Sequence, residues 1–254
     1  MDVESYHMVN ITCSQRTDYA KIAQQLENAL GAPGDLHQSS PLAACQSGLE
    51  VLLATILTQA TNDRNAAEAW RQLRQIFPEP QQLLEASREE VAAVIRSAGL
   101  ATQKATAIRS ALQGIKAQFG ILSLEALKEG PAQTALDFLS ALPGIGPKTA
   151  ACTVLFGLGL PAFPVDTHIY RIIKRLGWID PKTNSAAAQK LLGAAIPFHL
   201  QAPLHILLLN LGRTYCRPTN PCCAVTEPYC PLHAECPKII EGGHAMRRGK
   251  SDPS

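Results

Sequence analysis

Residues 142–150 read LPGIGPKTA, and the aspartate of the later stretch VDTHIYRI (165–172) falls eighteen positions after that lysine. The segment PAQTALDFLSAL carries apolar residues at helical steps straight into the turn, and Pro147 suits the first position of a following helix. Gly144 and Gly146 permit backbone angles closed to other residues and let another chain approach closely. A turn of this kind aims N–H groups outward at the positive end of a helix, where a phosphate can sit. With Leu142 and Ile145 packed beneath it, the pattern is a helix-hairpin-helix, an element that holds a nucleic-acid backbone without reading its sequence. The turn alone also fits an ordinary tight helix–helix connection.

The rest of the chain agrees with a helical fold. SGLEVLLATILTQ places Leu49, Leu52, Leu53, Ile56 and Leu57 on a strongly buried helix, and NDRNAAEAWRQLRQIF follows with Ala66, Trp70, Leu73 and Phe77 before Pro78 stops it. Ser87 and Glu90 form a capping-box pattern ahead of VAAVIRSAGL. TQKATAIRSALQGIKAQF, SAAAQKLLGAAIP and HLQAPLHILLLNLGRTYC read as further helices. After Asp166, Ile169, Ile172, Ile173 and Leu176 make an i, i+3, i+4, i+7 stripe, with Arg171, Lys174 and Arg175 facing elsewhere. No run of alternating β-branched residues stands out, so the expectation is an all-α fold of about nine or ten helices. The first dozen residues and EGGHAMRRGKSDPS at the end read as mobile tails.

The 254 residues, 46% of them hydrophobic, suffice for one large domain or two modest ones. A formal charge of +2 permits nucleic-acid binding without arguing for it, so any basic surface must be local. The acidic opening MDVE carries no apolar signal segment, and AACTVLFGLGLPAF is too short and too interrupted to span a bilayer. A soluble intracellular protein is expected: cytoplasmic and nucleoid-associated if bacterial, nuclear or organellar if eukaryotic. Of eight cysteines, Cys216, Cys222, Cys223, Cys230 and Cys236 crowd into one short segment. A tight group in an intracellular chain points to metal thiolates rather than a disulfide framework.

Lys148 falls in the first turn of its helix, where the macrodipole opposes a positive charge; the free amine is the form that attacks carbon. Asp166 makes a fitting N-cap for THIYRIIKRL. A cap fixes its carboxylate in place, and a fixed carboxylate near an amine and a sugar can stabilise developing positive charge or handle a proton. Taken singly, a solvated lysine and a plain capping aspartate describe these residues equally well.

Together, LPGIGPKTA and VDTHIYRIIKRLG resemble the endonuclease III branch of the helix-hairpin-helix DNA glycosylases. LLATILTQATNDRN and AGLATQKATAI resemble upstream segments of the same family, and the likeness runs over roughly residues 40 to 240. The resemblance implies two helical domains flanking a DNA-binding cleft. Residues 40–160 would form the domain with the hairpin; residues 161–240 would join the N-terminal residues 1–39 in the domain holding a metal cluster, and residues 241–254 would be a tail. It implies that Lys148 attacks C1′ of a damaged nucleotide, forming a Schiff base whose β-elimination nicks the strand, and that Asp166 is the essential carboxylate. Gln59 and Leu100 match residues that enter the duplex when the nucleotide leaves the stack, filling space and pairing that would otherwise be lost. Gly144, Ile145, Gly146, Thr149 and His168 complete the expected DNA contacts. The implied partner is double-stranded DNA with a damaged base or abasic site, met by a monomer without a membrane.

For the cysteines, the resemblance implies a [4Fe–4S] cluster on Cys216, Cys223, Cys230 and Cys236. The family spaces its four cysteines by six, two and five residues. This chain has six between Cys216 and Cys223 and five between Cys230 and Cys236, but six rather than two between Cys223 and Cys230. Zinc is the alternative, although zinc sites favour close cysteine pairs and C-x-x-C does not occur here. Arg213, Arg217, His233 and Lys238 lie nearby as possible phosphate contacts. The functional expectation is excision of an oxidised pyrimidine with nicking of the abasic site. A monofunctional mispair glycosylase and a DNA-binding relative with weak or lost catalysis are the alternatives.

Overall fold

The structure, a computed structural model, describes residues 17–219, 221 and 229–237. Both expected tails and Cys222 and Cys223 lie outside the described residues. Among the described residues there are twelve α-helices and no strand. They are α1 (Tyr19–Leu30), α2 (Pro33–His37), α3 (Gly48–Thr58), α4 (Asp63–Ile76), α5 (Pro80–Glu85) and α6 (Arg88–Val94). Then follow α7 (Ala101–Phe119), α8 (Ala132–Ala141), α9 (Pro147–Cys152), α10 (Thr167–Arg175), α11 (Ser185–Ala195) and α12 (Phe198–Thr214). The all-α expectation holds. The count exceeds nine or ten because α2 and α5 have five and six residues, too few turns to produce a readable apolar stripe.

Local chemistry sets the helix ends. Ser47, Asn62 and Ser87 each cap a helix by accepting from a backbone N–H three residues on. The Ser87–Glu90 capping box is present in both directions. Gly120, at φ +74, closes α7 in the left-handed region. Helix α12 carries Pro203 in its interior; two residues earlier Gln201, buried, accepts from Ala162 N–H (2.9 Å) and donates to Gly193 O and Ile196 O.

The buried apolar residues separate into two cores. In the first, α3 has Leu52, Ile56 and Leu57 fully buried and packs against α4, α7 and α9, while α6 and α8 add Val91, Ala135 and Leu139 to the same core. Each such side chain contributes about 1.5–3 kcal/mol of transfer free energy. The second core joins α1 to α10, α11 and α12, so residues near the start of the described chain pack against its last helices. The chain passes between the cores twice among the described residues, first between α1 and α3 and again along LPAFPVD, where Phe163 and Val165 belong to the second core and Ala162 to the first. No helix among the described residues is long and apolar enough to cross a membrane.

Candidate active site

Helix α8 ends at Leu142 and α9 begins at Pro147, so the opening motif is a hairpin between two helices. Its two glycines differ in kind. Gly144 has φ +83, and a Cβ there would stand 2.6 Å from Ala107 Cβ on α7; only glycine fits. Gly146 caps α9 at an ordinary φ of −84°, with nothing within 4 Å of a would-be Cβ. Its value is an open approach rather than an unusual angle. Ile145 is buried and its N–H donates to Leu142 O (3.0 Å), so neither its side chain nor its amide faces the cleft. Gly144→Ala should therefore lower the melting temperature by several degrees, about 1–3 kcal/mol of strain and overpacking. Gly146→Ala should leave melting unchanged and weaken duplex binding in a filter or anisotropy titration if a DNA backbone passes over it.

The hairpin forms one wall of a cleft of about 780 Å³ between the two cores, and Lys148 and Asp166 both line it. Lys148 is half-buried in the first turn of α9. Asp166 caps α10, accepting from Ile169 N–H at 2.8 Å, so its carboxylate is held by the helix it starts. One side chain from α11 ties the two supporting segments together. Gln189 accepts from Val165 N–H (3.4 Å) and donates to Pro147 O (3.1 Å), bridging the residue before the aspartate and the residue before the lysine. The sequence reading missed Gln189 because its role depends on two segments distant in the chain.

Behind the lysine lies a buried floor. Cys152, one turn further along α9, is fully buried; burial pushes its thiol up, partly opposed by a hydrogen bond with Lys148 and its positive charge. After Cys152 the helix widens into an i→i+5 turn over Thr153–Leu158, which brings Phe156 to the cleft. His205 is buried among Phe156, Phe163 and Pro164, with Nδ1 3.0 Å from Pro164 O. Burial, reinforced by the charge of Lys148, pulls it down to about 4, so it is a neutral imidazole at physiological pH. Acceptance by a carbonyl at Nδ1 fixes the proton there. His37 stacks on Phe156 at 5.4 Å, and burial lowers it as well. His37, Phe156 and His205 line the same cleft as Lys148 and were not among the expected site residues.

The expected DNA contacts divide by position. Gln59, Gly144, Gly146, Thr149 and His168 line the cleft. Gln59 closes α3 and donates from Nε2 to the hydroxyl of buried Thr149 (3.1 Å), coupling the rim to the helix that carries Lys148. His168 packs over Gly212 of α12, where a Cβ would approach it to 2.7 Å, and its Nδ1 lies 3.1 Å from Arg171. Leu100 lies outside the cleft lining, 53% exposed at φ +48, immediately before α7. Arg213 pairs with Asp63 through two bonds of 2.6 and 2.9 Å across the mouth of the cleft, so its guanidinium is already engaged. His233 is occupied locally, Nδ1 lying 3.0 Å from Cys230 O, and Lys238 is outside the described residues.

Cys216, Cys230 and Cys236 all meet the second core. Arg175 touches two of them: its guanidinium donates to Cys216 Sγ (3.2 Å), and its carbonyl accepts from the Cys236 thiol (3.7 Å). An N–H donor on sulfur suits a thiolate, so the surroundings of Cys216 are compatible with a thiolate metal ligand. Among the described residues alone, no three ligand side chains stand close enough to hold a metal ion.

Residues 53–196 match the family model of the HhH-GPD superfamily base excision DNA repair proteins. The chain belongs to that superfamily. Within the HhH-GPD proteins, endonuclease III of Thermotoga maritima is 33% identical over 173 residues, covering 68% of this chain and 76% of the relative. Endonuclease III of Bacillus subtilis is 30% identical over 217 residues, covering 84% and 92%. Among solved structures, a trapped endonuclease III–DNA covalent intermediate superposes with TM-score 0.70 at 26% identity, covering 89% of this chain and 99% of that one. A thermostable thymine-DNA glycosylase shares the fold, with TM-score 0.70 at 17% identity.

Proposed function

We propose that this protein is a bifunctional DNA glycosylase and abasic-site lyase that removes oxidised pyrimidines from duplex DNA. The observation that carries the reading is Lys148 and Asp166 lining one cleft, with the Gly144–Gly146 hairpin on the same wall. Likeness to endonuclease III, including a complex trapped as a covalent intermediate, supports the substrate class and the lyase step. The lone pair of the Lys148 amine attacks C1′ while the C1′–N bond breaks, and the base leaves with the bonding electrons and takes up a proton. Opening of the sugar gives an imine to Lys148. Loss of a C2′ proton then expels the 3′ phosphate with the C3′–O electrons, nicking the strand. Asp166, anchored by its cap, stabilises positive charge at the anomeric carbon and handles the proton of the attacking amine. Neutral His205 and the aromatic faces of His37 and Phe156 exclude water around the displaced nucleotide.

The two cores act as two domains around the DNA, with the division near residues 40 and 160. Gln59 and Leu100 enter the duplex from the rim, and the open face at Gly146 lets the backbone of the DNA approach. Cys216, Cys223, Cys230 and Cys236 hold a [4Fe–4S] cluster, which would staple a Pro-rich loop to α10 and α12. Anaerobic purification should give a chain with near-stoichiometric iron and sulfide and visible absorbance; one zinc per chain instead would replace the cluster assignment.

Borohydride trapping tests the reaction. Wild-type protein incubated with duplexes bearing an oxidised pyrimidine, a mispaired base or a plain abasic site should give a covalent protein–DNA band, and peptide mapping should place it on Lys148. Base release with no adduct would identify a monofunctional enzyme, and binding with neither outcome a DNA-binding scaffold.

A further inference from the structure

Lys104, in the first turn of α7, is 2% exposed, and its Nζ donates to Leu57 O (2.8 Å) and Ala98 O (2.7 Å). Both acceptors end helical segments: Leu57 is in the last turn of α3, and Ala98 closes the short 3₁₀ turn Arg96–Ala98. A cation there answers two sets of carbonyls left without helical partners. Burial brings the amine to about 8, so it is still charged at neutral pH. Immediately beyond each acceptor the chain turns hard. Gln59 is followed by Ala60 at φ +50; Gly99 at φ +68 is followed by Leu100 at φ +48. Ala60 and Leu100 are the non-glycine residues with positive φ among the described residues. Such backbone is strained and persists only where surrounding structure over-determines it.

We propose that Lys104 is the positioning residue for both Gln59 and Leu100: by gripping the carbonyls two residues before each, it sets the spacing between the amide and the apolar wedge that enter the duplex. Lys104 does not line the cleft and touches no reacting atom. It acts through the two strained turns, reaching back 47 residues to Leu57 and 6 residues to Ala98. The proposal rests on the reading that Gln59 and Leu100 enter DNA, but not on the chemistry of Lys148.

The test uses Lys104→Met, which keeps the stem length and removes the donors. Unstacking is read by the fluorescence of 2-aminopurine placed beside a tetrahydrofuran abasic analogue in duplex DNA, with no catalysis required. Wild type, Lys104→Met, the Gln59→Ala/Leu100→Ala double variant and the combination are compared, with circular dichroism melts to follow folding. Wild type should raise the fluorescence on binding. Lys104→Met should lose most of that rise, and adding it to the double variant should change nothing further. In parallel, trapping on a duplex abasic site should slow ten- to a hundredfold, while trapping on the same site in a single strand stays within about twofold. A full fluorescence response in Lys104→Met, or a further loss in the combination, overturns the proposal. A double variant that still unstacks DNA removes the wedge assignment and this proposal with it. Failure of the lysine chemistry shows separately, as no wild-type adduct with the fluorescence response intact. Where Lys104→Met does not fold, Lys104→Gln, a shorter neutral donor, takes its place in the same cycle.

Discussion

Lys148→Ala is expected to give no reducible adduct and to slow strand nicking by at least about a thousandfold. The surroundings leave no ready substitute. Cys152, one turn away, is fully buried, and burial pushes its thiol up, so it stays protonated. His205 is held neutral by burial and has Nδ1 committed to Pro164 O. Folding should survive, since Lys148 is half-buried and a substitution of that kind costs about 1 kcal/mol or less. Lys148→Arg separates attack from charge: it keeps a cation beside the DNA and cannot form the imine, because guanidinium does not give up its proton. It should bind duplex nearly as wild type and trap nothing. A gel of borohydride-treated reactions checks both variants, and an adduct surviving in Lys148→Ala would move the reacting amine elsewhere.

What the sequence disclosed follows from where the information lies along the chain. The hairpin and the capping aspartate were legible because each is local: a turn needs glycine at Gly144, and a cap needs a short acid at Asp166. The long helices were legible because their apolar stripes repeat over several turns, as in α3 and α4. Contacts between distant segments left no such trace. Gln189 joins residues 147 and 165 from α11, Arg213 reaches Asp63 from the far end of the chain, and Lys104 binds carbonyls at 57 and 98. A buried lysine inside TQKATAI reads as a solvated helix residue until its neighbours are known. Likewise His37 and His205 come together on Phe156 only through the packing of α2 and α12 against the widened turn after α9. The two glycines of the hairpin show the limit at one position. The letters are identical, but one needs φ +83 and the other only open space.

Asp166 has two jobs, and two substitutions pull them apart. Asp166→Asn retains an oxygen able to accept from Ile169 N–H, and asparagine caps helices about as well as aspartate. Its melting temperature should stay within a few degrees of wild type. What it loses is the negative charge, and turnover on a lesion-bearing duplex should fall by about 10²–10⁴ in single-turnover kinetics. Asp166→Ala should fall as far in turnover and also lose about 1 kcal/mol of stability, because α10 then begins without its cap. That helix carries Ile169, Ile172 and Ile173 into the second core and Arg175 to the cysteines, so fraying its start loosens both. If the asparagine variant melted normally and retained near wild-type turnover, the carboxylate would be a cap alone, and the charge on the anomeric carbon would need another partner in the cleft.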